Sequence, residues 1–323
     1  MKIAIIGVGQ LGSRHLQALS RLNFSAEIEV VDSSEVSIKI AKKRFAELPR
    51  NPHILGVKYL SSIAELSKSL DFTIIATNAD VRASIIRELI KFCNLKYVLL
   101  EKVLFQKHDE YVEFLEIFEN RQISAWVNHP RRQYPFYREL RKWVSGSEKI
   151  SYHIQGGAWG LGCNGLHFID HLAFLTGVTE LELDSDDLDS TIMTSKRAGF
   201  VEFSGTLRGR MGKNTFTFFC SKSVAPMIIS IYADKINVVI DESSGWIRIA
   251  SKEGGWIWHE RTEPIVCLQS ELTNRVIEDV METGNCELPS YADSVKLHRP
   301  FINCLKSHLE SMQGLDYVSC PIT

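Results

Sequence analysis

The amino-acid sequence predicts an α/β fold in two parts, a doubly wound parallel sheet of the Rossmann type followed by a largely antiparallel open sheet. Three observations carry this prediction. The chain has 323 residues, which is more than one compact core usually accommodates. Strand and helix patterns alternate in its first third, whereas strand patterns dominate the remainder. We therefore expect one domain over residues 1–124 and a second over residues 125–323.

Composition and charge exclude several classes of partner. The 37 basic and 39 acidic residues give a formal net charge of -2, without the basic excess that nucleic acids or anionic membranes attract. No apolar run reaches the roughly 18 residues of a membrane span. The seven cysteines are scattered and form no CxxC pair, so neither a disulfide framework nor a metal site is expected. We expect a soluble cytoplasmic protein that acts on a small molecule.

The N-terminal stretch "MKIAIIGVGQLGSRHLQALSRL" predicts a strand, a glycine turn and a helix. Gly7 permits a tight turn, Gly9 lets a pyrophosphate approach the backbone, and Gly12 lets helix and strand pack closely. Gln10 and Leu11 complete the turn, and the helix N-terminus offers N–H groups to phosphates. A flexible turn is the alternative interpretation of the glycines alone, but the flanking strand and helix favour a dinucleotide site.

The second strand, "AEIEVVD", ends at Asp32, 20 residues after Gly12. A carboxylate at this place can accept hydrogen bonds from both ribose hydroxyls of NAD and repels the 2′-phosphate of NADP. Ser33 and Ser34 follow it and provide no cation, so NAD is favoured. NADP remains the alternative if Arg14 or a distant lysine reaches the phosphate.

Further strands at "DFTIIATN" and "KYVLLEKV" alternate with helical patterns around residues 61–69 and 81–93. In a parallel sheet, ligands gather at the carboxyl ends of the strands. The residues at these ends are Thr77, Asn78, Glu101, Lys102 and 128–132.

The second part of the chain begins with a predicted helix over residues 134–144. Six strand patterns follow, "ISYHIQGG", "AGFVEFSGTLRG", "NTFTFFCS", "MIISIYAD", "KINVVIDE" and "GWIRIAS", and helices are predicted over residues 268–282 and 292–312. We expect the active site in the cleft between the two domains.

The motifs together resemble the glucose-fructose oxidoreductase and inositol dehydrogenase family, often written Gfo/Idh/MocA. "GVGQLGSRH", "IIATNADVR", "VLLEKVL", "HPRRQYP" and "CNGLHFIDHL" are similar to its dinucleotide turn, its cofactor-contacting strand end, its EKP motif, its R-x-x-P segment and its D-x-G-x-H-x-x-D helix. Two positions depart from the family pattern. Val103 stands where proline is common, which changes how rigidly Lys102 is presented, and Cys163 stands where aspartate is common.

The resemblance implies catalytic roles for Lys102 and His167. An ammonium at Lys102 can hydrogen-bond the oxygen of a reacting alcohol or ketone, although a solvated lysine paired with Glu101 is the alternative. With Asn164 as N-cap, His167 lies in the first helical turn, where the helix dipole keeps a neutral base available. The alternatives for His167 are a core histidine or a hairpin at Asn164 and Gly165.

Further residues are candidates for substrate contact, each with a structural alternative such as a salt bridge, helix-end solvation or core packing. They are Arg132, Tyr134, Trp159, Cys163, Asn164, Asp170 and His171. For Cys163 we expect a pocket-lining role without nucleophilic or metal-binding chemistry, because hydride transfer needs no covalent intermediate.

The function that the resemblance implies is NAD(H)-dependent hydride transfer to or from a carbinol or carbonyl carbon of a sugar, sugar acid or nucleotide sugar. Reduction of an imine or another unsaturated centre is one alternative, and a dinucleotide-binding regulator without catalysis is another. Apolar residues on both alternating sets of the later strands, for example Ile228 and Tyr232 against Ile229 and Ile231, predict a homodimer or homotetramer formed through the second sheet.

Overall fold

The computed structural model describes every residue from Met1 to Thr323 and contains two compact units. The first comprises Met1–Phe105, Asp109–Pro130 and Cys267–Tyr291, and the second comprises Gln106–His108, Arg131–Val266 and Ala292–Thr323. The expected boundary between residues 124 and 125 falls inside a strand of the first unit. A segment close to the C-terminus also packs with the first unit, which the sequence did not indicate.

The first unit is built on a six-stranded parallel sheet in the order β3-β2-β1-β4-β5-β6. The chain first adds β2 and β3 on one side of β1, and then adds β4, β5 and β6 on its other side. The direction of the strand order therefore reverses between β1 and β4. This reversal is the usual ligand crevice of such sheets. The strands are β1 (Lys2–Ile6), β2 (Ala26–Val31), β3 (Ile54–Leu60), β4 (Ser69–Ile75), β5 (Asn94–Leu100) and β6 (Ser124–Val127).

Helices accompany these strands, and one of them comes from the far end of the chain. They are α1 (Gly12–Leu19), α2 (Glu35–Ala46), α3 (Ala79–Phe92), α4 (His108–Asn120) and α7 (Thr273–Thr283). Val276, Ile277 and Val280 of α7 are buried in the same core as Leu16 and Leu19 of α1. This shared apolar core explains why the segment around α7 belongs to the first unit.

The structure corrects one predicted helix. Residues 61–69 form only a single 3-10 turn at Ile63–Glu65, between β3 and β4. Ser62 caps this turn through the N–H of Ala64, and the Glu65 carboxylate accepts the N–H of Ser62. The preceding strand, β3, was not predicted, because it lies at the sheet edge and is only partly buried.

The second unit contains a mixed, mostly antiparallel sheet of eight strands in the order β16-β15-β14-β13-β7-β12-β11-β8. Only β7 and β12 pair in parallel. The strands are β7 (Ile150–Gly157), β8 (Leu181–Asp184), β11 (Gly205–Met211), β12 (Asn214–Ser221), β13 (Ala225–Ala233), β14 (Ile236–Asp241), β15 (Trp246–Ser251) and β16 (His259–Thr262). The predicted α/β fold class is thus confirmed.

A separate two-stranded ribbon, β9 (Met193–Thr194) and β10 (Val201–Glu202), lies outside this sheet. The predicted single strand "AGFVEFSGTLRG" is therefore wrong, since it is divided between β10 and β11. Gly205 begins β11 with a φ of +97°, and a Cβ there would lie 2.5 Å from the backbone nitrogen of Asp189. The chain leaves the ribbon for the sheet at this glycine.

The two faces of the large sheet differ in exposure. Ile229 and Ile231 are fully buried, whereas Tyr232 and Phe219 on the other face are 41% and 44% exposed.

The remaining helices are α5 (Pro135–Val144), α6 (Leu161–Thr176) and α8 (Tyr291–Gln313). None of the helices combines the length and the apolar character needed to cross a bilayer.

Candidate active site

The glycine turn after β1 has the geometry that close approach of a phosphate requires. Gly7 has a φ of +84°, and a Cβ on Gly12 would lie only 1.9 Å from the carbonyl oxygen of Gly7. A Cβ on Gly9 would meet no atom within 4 Å, so open space lies in front of its backbone. The N-terminus of α1 has no side-chain cap and no acidic residue in its first turn. Its N–H groups therefore suit an anionic ligand.

A cavity of about 540 Å³ lies beside this turn, at the crevice between β1 and β4. It brings together Gly7, Gly9, Asp32, Thr77 and Asn78, five of the residues expected to bind the cofactor. Gln10, Leu11, Gly12 and Glu101 are not among the lining residues. Its volume is within the range of cofactor sites.

The carboxylate of Asp32 is fixed by backbone amides. Its Oδ2 accepts the N–H of Val8 at 2.7 Å, and its Oδ1 accepts the N–H of Ser34 at 2.8 Å. Each oxygen retains a further lone pair, so the group can still accept from ribose hydroxyls. An NAD molecule thus fits the residues of this cavity.

Sequence reasoning missed Arg44 of α2. Its guanidinium donates to the side-chain oxygen of Gln10 at 2.8 Å and to the hydroxyl of Ser13 at 2.5 Å, which places a positive charge against the glycine turn. No local motif marks Arg44, because the contact depends on how α2 packs against α1.

Glu101 and Lys102 follow β5 directly. Ile75 of β4 pairs with Leu100 of β5, so Thr77 and Lys102 leave the sheet side by side. Lys102 is partly exposed, and the bond between Lys102 and Val103 is cis.

The buried guanidinium of Arg82 holds the turn after Lys102. It donates to the carbonyl oxygens of Thr77 and Val103, and to that of Leu104 at 2.9 Å. This contact joins the two strand ends.

Glu101 is buried in a group of five polar side chains, which we call the glutamate cluster. Its Oε1 contacts His15 Nε2 at 2.8 Å and accepts from Asn128 Nδ2 at 2.6 Å. His15 Nδ1 lies 2.8 Å from the Thr273 hydroxyl, and Gln269 contacts both Thr273 and Asn128 at 2.9 Å. Burial raises the pKa of Glu101, but the bonds from His15 and Asn128 outweigh it and leave the pKa below its usual value. Glu101 is therefore held ionised next to Lys102.

In the second unit, α6 begins earlier than the sequence indicated. Gly160, in the left-handed conformation, is its N-cap, and the helix starts at Leu161. Asn164 is therefore not the cap; its side chain donates to the carbonyl of Trp159 at 2.6 Å. His167 lies in the second turn, so the argument that the dipole keeps it neutral from the first turn is wrong. The hairpin at Asn164 and Gly165 is excluded as well.

Trp159, Cys163 and Asn164 line one cavity of about 350 Å³ in the second unit. Glu202 lines it as well, a residue that the sequence analysis did not select. In the sequence, Glu202 is part of a strand pattern that is distant from α6. Its place at this cavity is therefore evident only from the folded structure.

The other predicted substrate residues are internal. Arg132 forms a bidentate ion pair with the fully buried Asp170, with Nη2 2.7 Å from Oδ1 and Nε 2.9 Å from Oδ2. Burial raises the pKa of Asp170, and Arg132 opposes the shift without reversing it. Tyr134 is buried and stacks on Tyr137. This placement favours structural roles for Arg132, Tyr134 and Asp170.

His171 is fully buried as well. Its Nδ1 lies 3.0 Å from the Tyr152 hydroxyl, and its ring is 4.0 Å from that of Tyr137. Burial, with the charges of Arg131 and Arg132, holds the pKa of His171 well below its usual value. His171 is therefore a neutral core histidine.

Comparison with known proteins supports this assignment of the cofactor unit. Residues 1–129 match the family model described as oxidoreductase family, NAD-binding Rossmann fold, of Gfo/Idh/MocA. No curated protein sequence matches the chain significantly.

Solved structures share the fold of the whole chain at low sequence identity. An Agrobacterium radiobacter oxidoreductase in complex with NAD+, L-tartaric acid and magnesium is 14% identical with a TM-score of 0.70, covering 96% of this chain and 97% of that one. UDP-N-acetylglucosamine 3-dehydrogenase from Acidithiobacillus ferrooxidans is 16% identical with a TM-score of 0.67, covering 94% and 95%. The transcriptional regulator Gal80p from Kluyveromyces lactis is 14% identical with a TM-score of 0.71, covering 96% and 92%.

These similarities show the fold, while the sequence match shows that residues 1–129 are similar to the family. The resemblance seen in the motifs is thereby confirmed. With its glycine turn and Asp32 in place, the part of this chain over residues 1–129 is similar to the NAD-binding Rossmann domain of the Gfo/Idh/MocA oxidoreductase family.

Proposed function

We propose that the protein is an NAD(H)-dependent oxidoreductase that transfers a hydride between the nicotinamide and a carbinol or carbonyl carbon of a sugar, sugar acid or nucleotide sugar. The observation that carries this proposal is the position of Lys102. This residue leaves the sheet beside Thr77, and it directly follows Glu101, which is held in place by the glutamate cluster. When bound, the nicotinamide supplies the hydride acceptor or donor.

In the proposed reaction, the Lys102 ammonium donates a hydrogen bond to the substrate oxygen and stabilises its developing negative charge. His167 takes the hydroxyl proton during oxidation and returns it during reduction. His167 lies one helical turn beyond Cys163, which lines the cavity of the second unit, so both are on the same side of α6.

NAD is proposed as the cofactor in preference to NADP. The cavity lining includes Asp32 and Ser33 and contains neither arginine nor lysine. A 2′-phosphate there would meet the carboxylate of Asp32 without a neutralising cation from the lining.

The test is the change in NADH absorbance with D-glucose, D-glucuronate, myo-inositol and UDP-N-acetylglucosamine. Turnover with at least one compound is expected, and Lys102→Ala and His167→Ala should each lower kcat by about a hundredfold or more. Lys96→Ala, an exposed lysine of β5, is the control. Cofactor binding without turnover of any compound would contradict the proposal.

A dinucleotide-binding regulator is the second candidate, favoured by the fold shared with Gal80p. It predicts that NAD binds, that no compound of the panel turns over, and that Lys102→Ala leaves every measured property unchanged. The alternative that the protein reduces an imine predicts a different result, in which NADH is oxidised with imine substrates only.

We also propose a homodimer or homotetramer that buries the open face of the large sheet, where Phe219 and Tyr232 are exposed. A reducing cytoplasm is proposed as the compartment, in agreement with seven free cysteines. A monomer by light scattering at micromolar concentration would contradict the assembly.

A further inference from the structure

A carboxylate from outside the predicted motifs lies at the N-terminus of α6. Glu202, the last residue of β10, accepts the N–H of Gly162 through Oε2 at 2.8 Å and the N–H of Cys163 through Oε1 at 3.0 Å. Backbone donors and the positive end of a helix both stabilise the ionised form of a carboxyl group. Glu202 is therefore a fixed anion at this position.

The same carboxylate faces the cavity of about 350 Å³ lined by Trp159, Cys163 and Asn164. Glu202 is the only acidic side chain of that lining. The other charged or titratable side chains there are Lys196 and Arg197, from the turn between β9 and β10, and the thiols of Cys163 and Cys220. An aromatic wall with one fixed acceptor is a surface that suits a hydroxylated ring.

Two glycines at the start of α6 leave room for the Glu202 carboxylate. A Cβ on Gly162 would lie 3.1 Å from Glu202 Oε2, and one on Gly160 would lie 3.2 Å from Oε1, so both glycines leave room for the carboxylate. An aspartate at position 163 would add a second carboxylate to the same cavity wall, and neighbouring carboxylates repel each other. Cysteine at this position avoids that conflict.

We propose that Glu202 is a substrate-binding residue, which accepts hydrogen bonds from hydroxyl groups of the substrate in place of a carboxylate at position 163. A carboxylate oxygen has two lone pairs, so an oxygen that accepts a helix N–H can also accept a hydrogen bond from a hydroxyl group. The proposal rests on the proposed function, because it assumes that the reacting compound is polyhydroxylated. Cys163 then lines the wall, and the carboxylate that binds the substrate comes from β10.

Glu202→Gln tests the carboxylate, because it keeps the size of the side chain and removes the charge. In NAD+-dependent turnover of D-glucose, D-glucuronate, myo-inositol and UDP-N-acetylglucosamine, KM for the active compound should rise about 10- to 150-fold, the range of a charge-assisted hydrogen bond. KM for NAD+ should not change. Glu260→Gln, an exposed acid of β16, is the matched control. A lower Tm with an unchanged substrate KM would show that Glu202 only caps α6, and would overturn the proposal.

A rescue experiment asks whether positions 163 and 202 share one role. Cys163→Asp alone should lower both Tm and activity, because it places two carboxylates at one wall. The double variant Cys163→Asp with Glu202→Gln should bring the substrate KM back to within about threefold of the wild-type value. A double variant no better than Glu202→Gln contradicts the shared role. If Glu202→Gln does not fold, Glu202→Asp, with a shorter reach, serves for the KM comparison.

Calorimetry on the NAD+-loaded protein separates this proposal from the proposed function. A compound of the panel that binds without turnover, and binds at least tenfold more weakly to Glu202→Gln, supports the role of Glu202 although hydride transfer fails. Turnover that is insensitive to Glu202→Gln overturns the role of Glu202 and leaves the oxidoreductase intact. If none of the four compounds binds or turns over, both proposals are wrong.

Discussion

Each unit of the molecule contains a buried polar cluster, and the two clusters differ in composition. The glutamate cluster of the first unit places one carboxylate, Glu101, among neutral hydrogen-bonding groups and His15. The second unit contains full ion pairs, Arg132 with Asp170 and Arg131 with Glu242, the latter with Nη2 2.6 Å from Oε2. The first cluster is joined through Glu101 to a partly exposed lysine, whereas the ion pairs are enclosed by the core around α6. The first therefore lies next to the lysine that we propose as catalytic, and the second supports the fold.

The net pKa shifts of the two buried carboxylates, Glu101 and Asp170, have opposite directions. Burial raises the pKa of both Glu101 and Asp170, but hydrogen bonds from His15 and Asn128 leave the pKa of Glu101 lowered. Arg132 and the charges of His298 and Arg131 oppose the shift of Asp170 and still leave its pKa raised. The balance between burial and these partners therefore sets the direction of each pKa shift.

The largest expected effect is on the ion pairs. Glu242→Gln leaves the Arg131 guanidinium buried without its counter-charge, and it weakens the contact of the Tyr137 hydroxyl. The free energy of unfolding, measured by urea titration, should fall by about 3–5 kcal/mol. Binding of NAD to the first unit should not change.

The control for that variant is Glu260→Gln, which breaks an exposed pair with Arg248 and should cost at most about 1 kcal/mol. Equal losses in the two variants would mean that the Arg131 and Glu242 pair contributes no more than a surface contact.

Replacement of His15 tests the glutamate cluster. His15→Ala should lower the free energy of unfolding by about 1–3 kcal/mol, because it removes a buried partner of Glu101 and one of the hydrogen-bond partners of the Thr273 hydroxyl. It should also lower kcat in the proposed reaction, since Glu101 precedes Lys102. Unchanged kcat in a folded variant would separate the cluster from catalysis.

The lowered pKa of Glu101 predicts a pH dependence. A carboxyl group whose folded pKa is below its unfolded value of 4.5 contributes stability above that pH and loses it as the pH falls through the folded pKa. Urea titrations below about pH 4.5 should therefore show a loss of stability that is smaller in Glu101→Gln. The same slope in both proteins would contradict the assignment.

Sequence reasoning was most successful where interacting residues are close along the chain. The turn from Gly7 to Gly12 and the acid at Asp32 form a local pattern, and the structure places Gly7, Gly9 and Asp32 at one cavity. The turn at Ile63–Glu65 was predicted as a longer helix, because a few residues at helical spacing do not determine how long a helix is.

Long-range partners could not be predicted from local patterns. Arg131 and Glu242 are 111 residues apart, and Glu202 meets Cys163 across 39 residues. Asp170 was a candidate for substrate contact, with a salt bridge as the alternative, and the structure pairs it with Arg132, 38 residues away. Such pairings require the path of the chain, which periodicity does not specify.

The smallest expected effect concerns Asp32. Asp32→Ala should weaken NAD binding about tenfold, close to 1.4 kcal/mol, and bring the affinities for NAD and NADP closer together. Part of this loss comes from the turn itself, since the carboxylate also holds the N–H of Val8. Asp32→Asn separates the two contributions, because an amide oxygen can still accept from Val8 while the charge is gone. Calorimetry with both cofactors should therefore show weaker discrimination in Asp32→Asn with a smaller loss of NAD affinity. Should the wild-type protein prefer NADP, the assignment of Asp32 is wrong, and Arg44→Ala would then show whether the guanidinium held by Gln10 and Ser13 neutralises the phosphate.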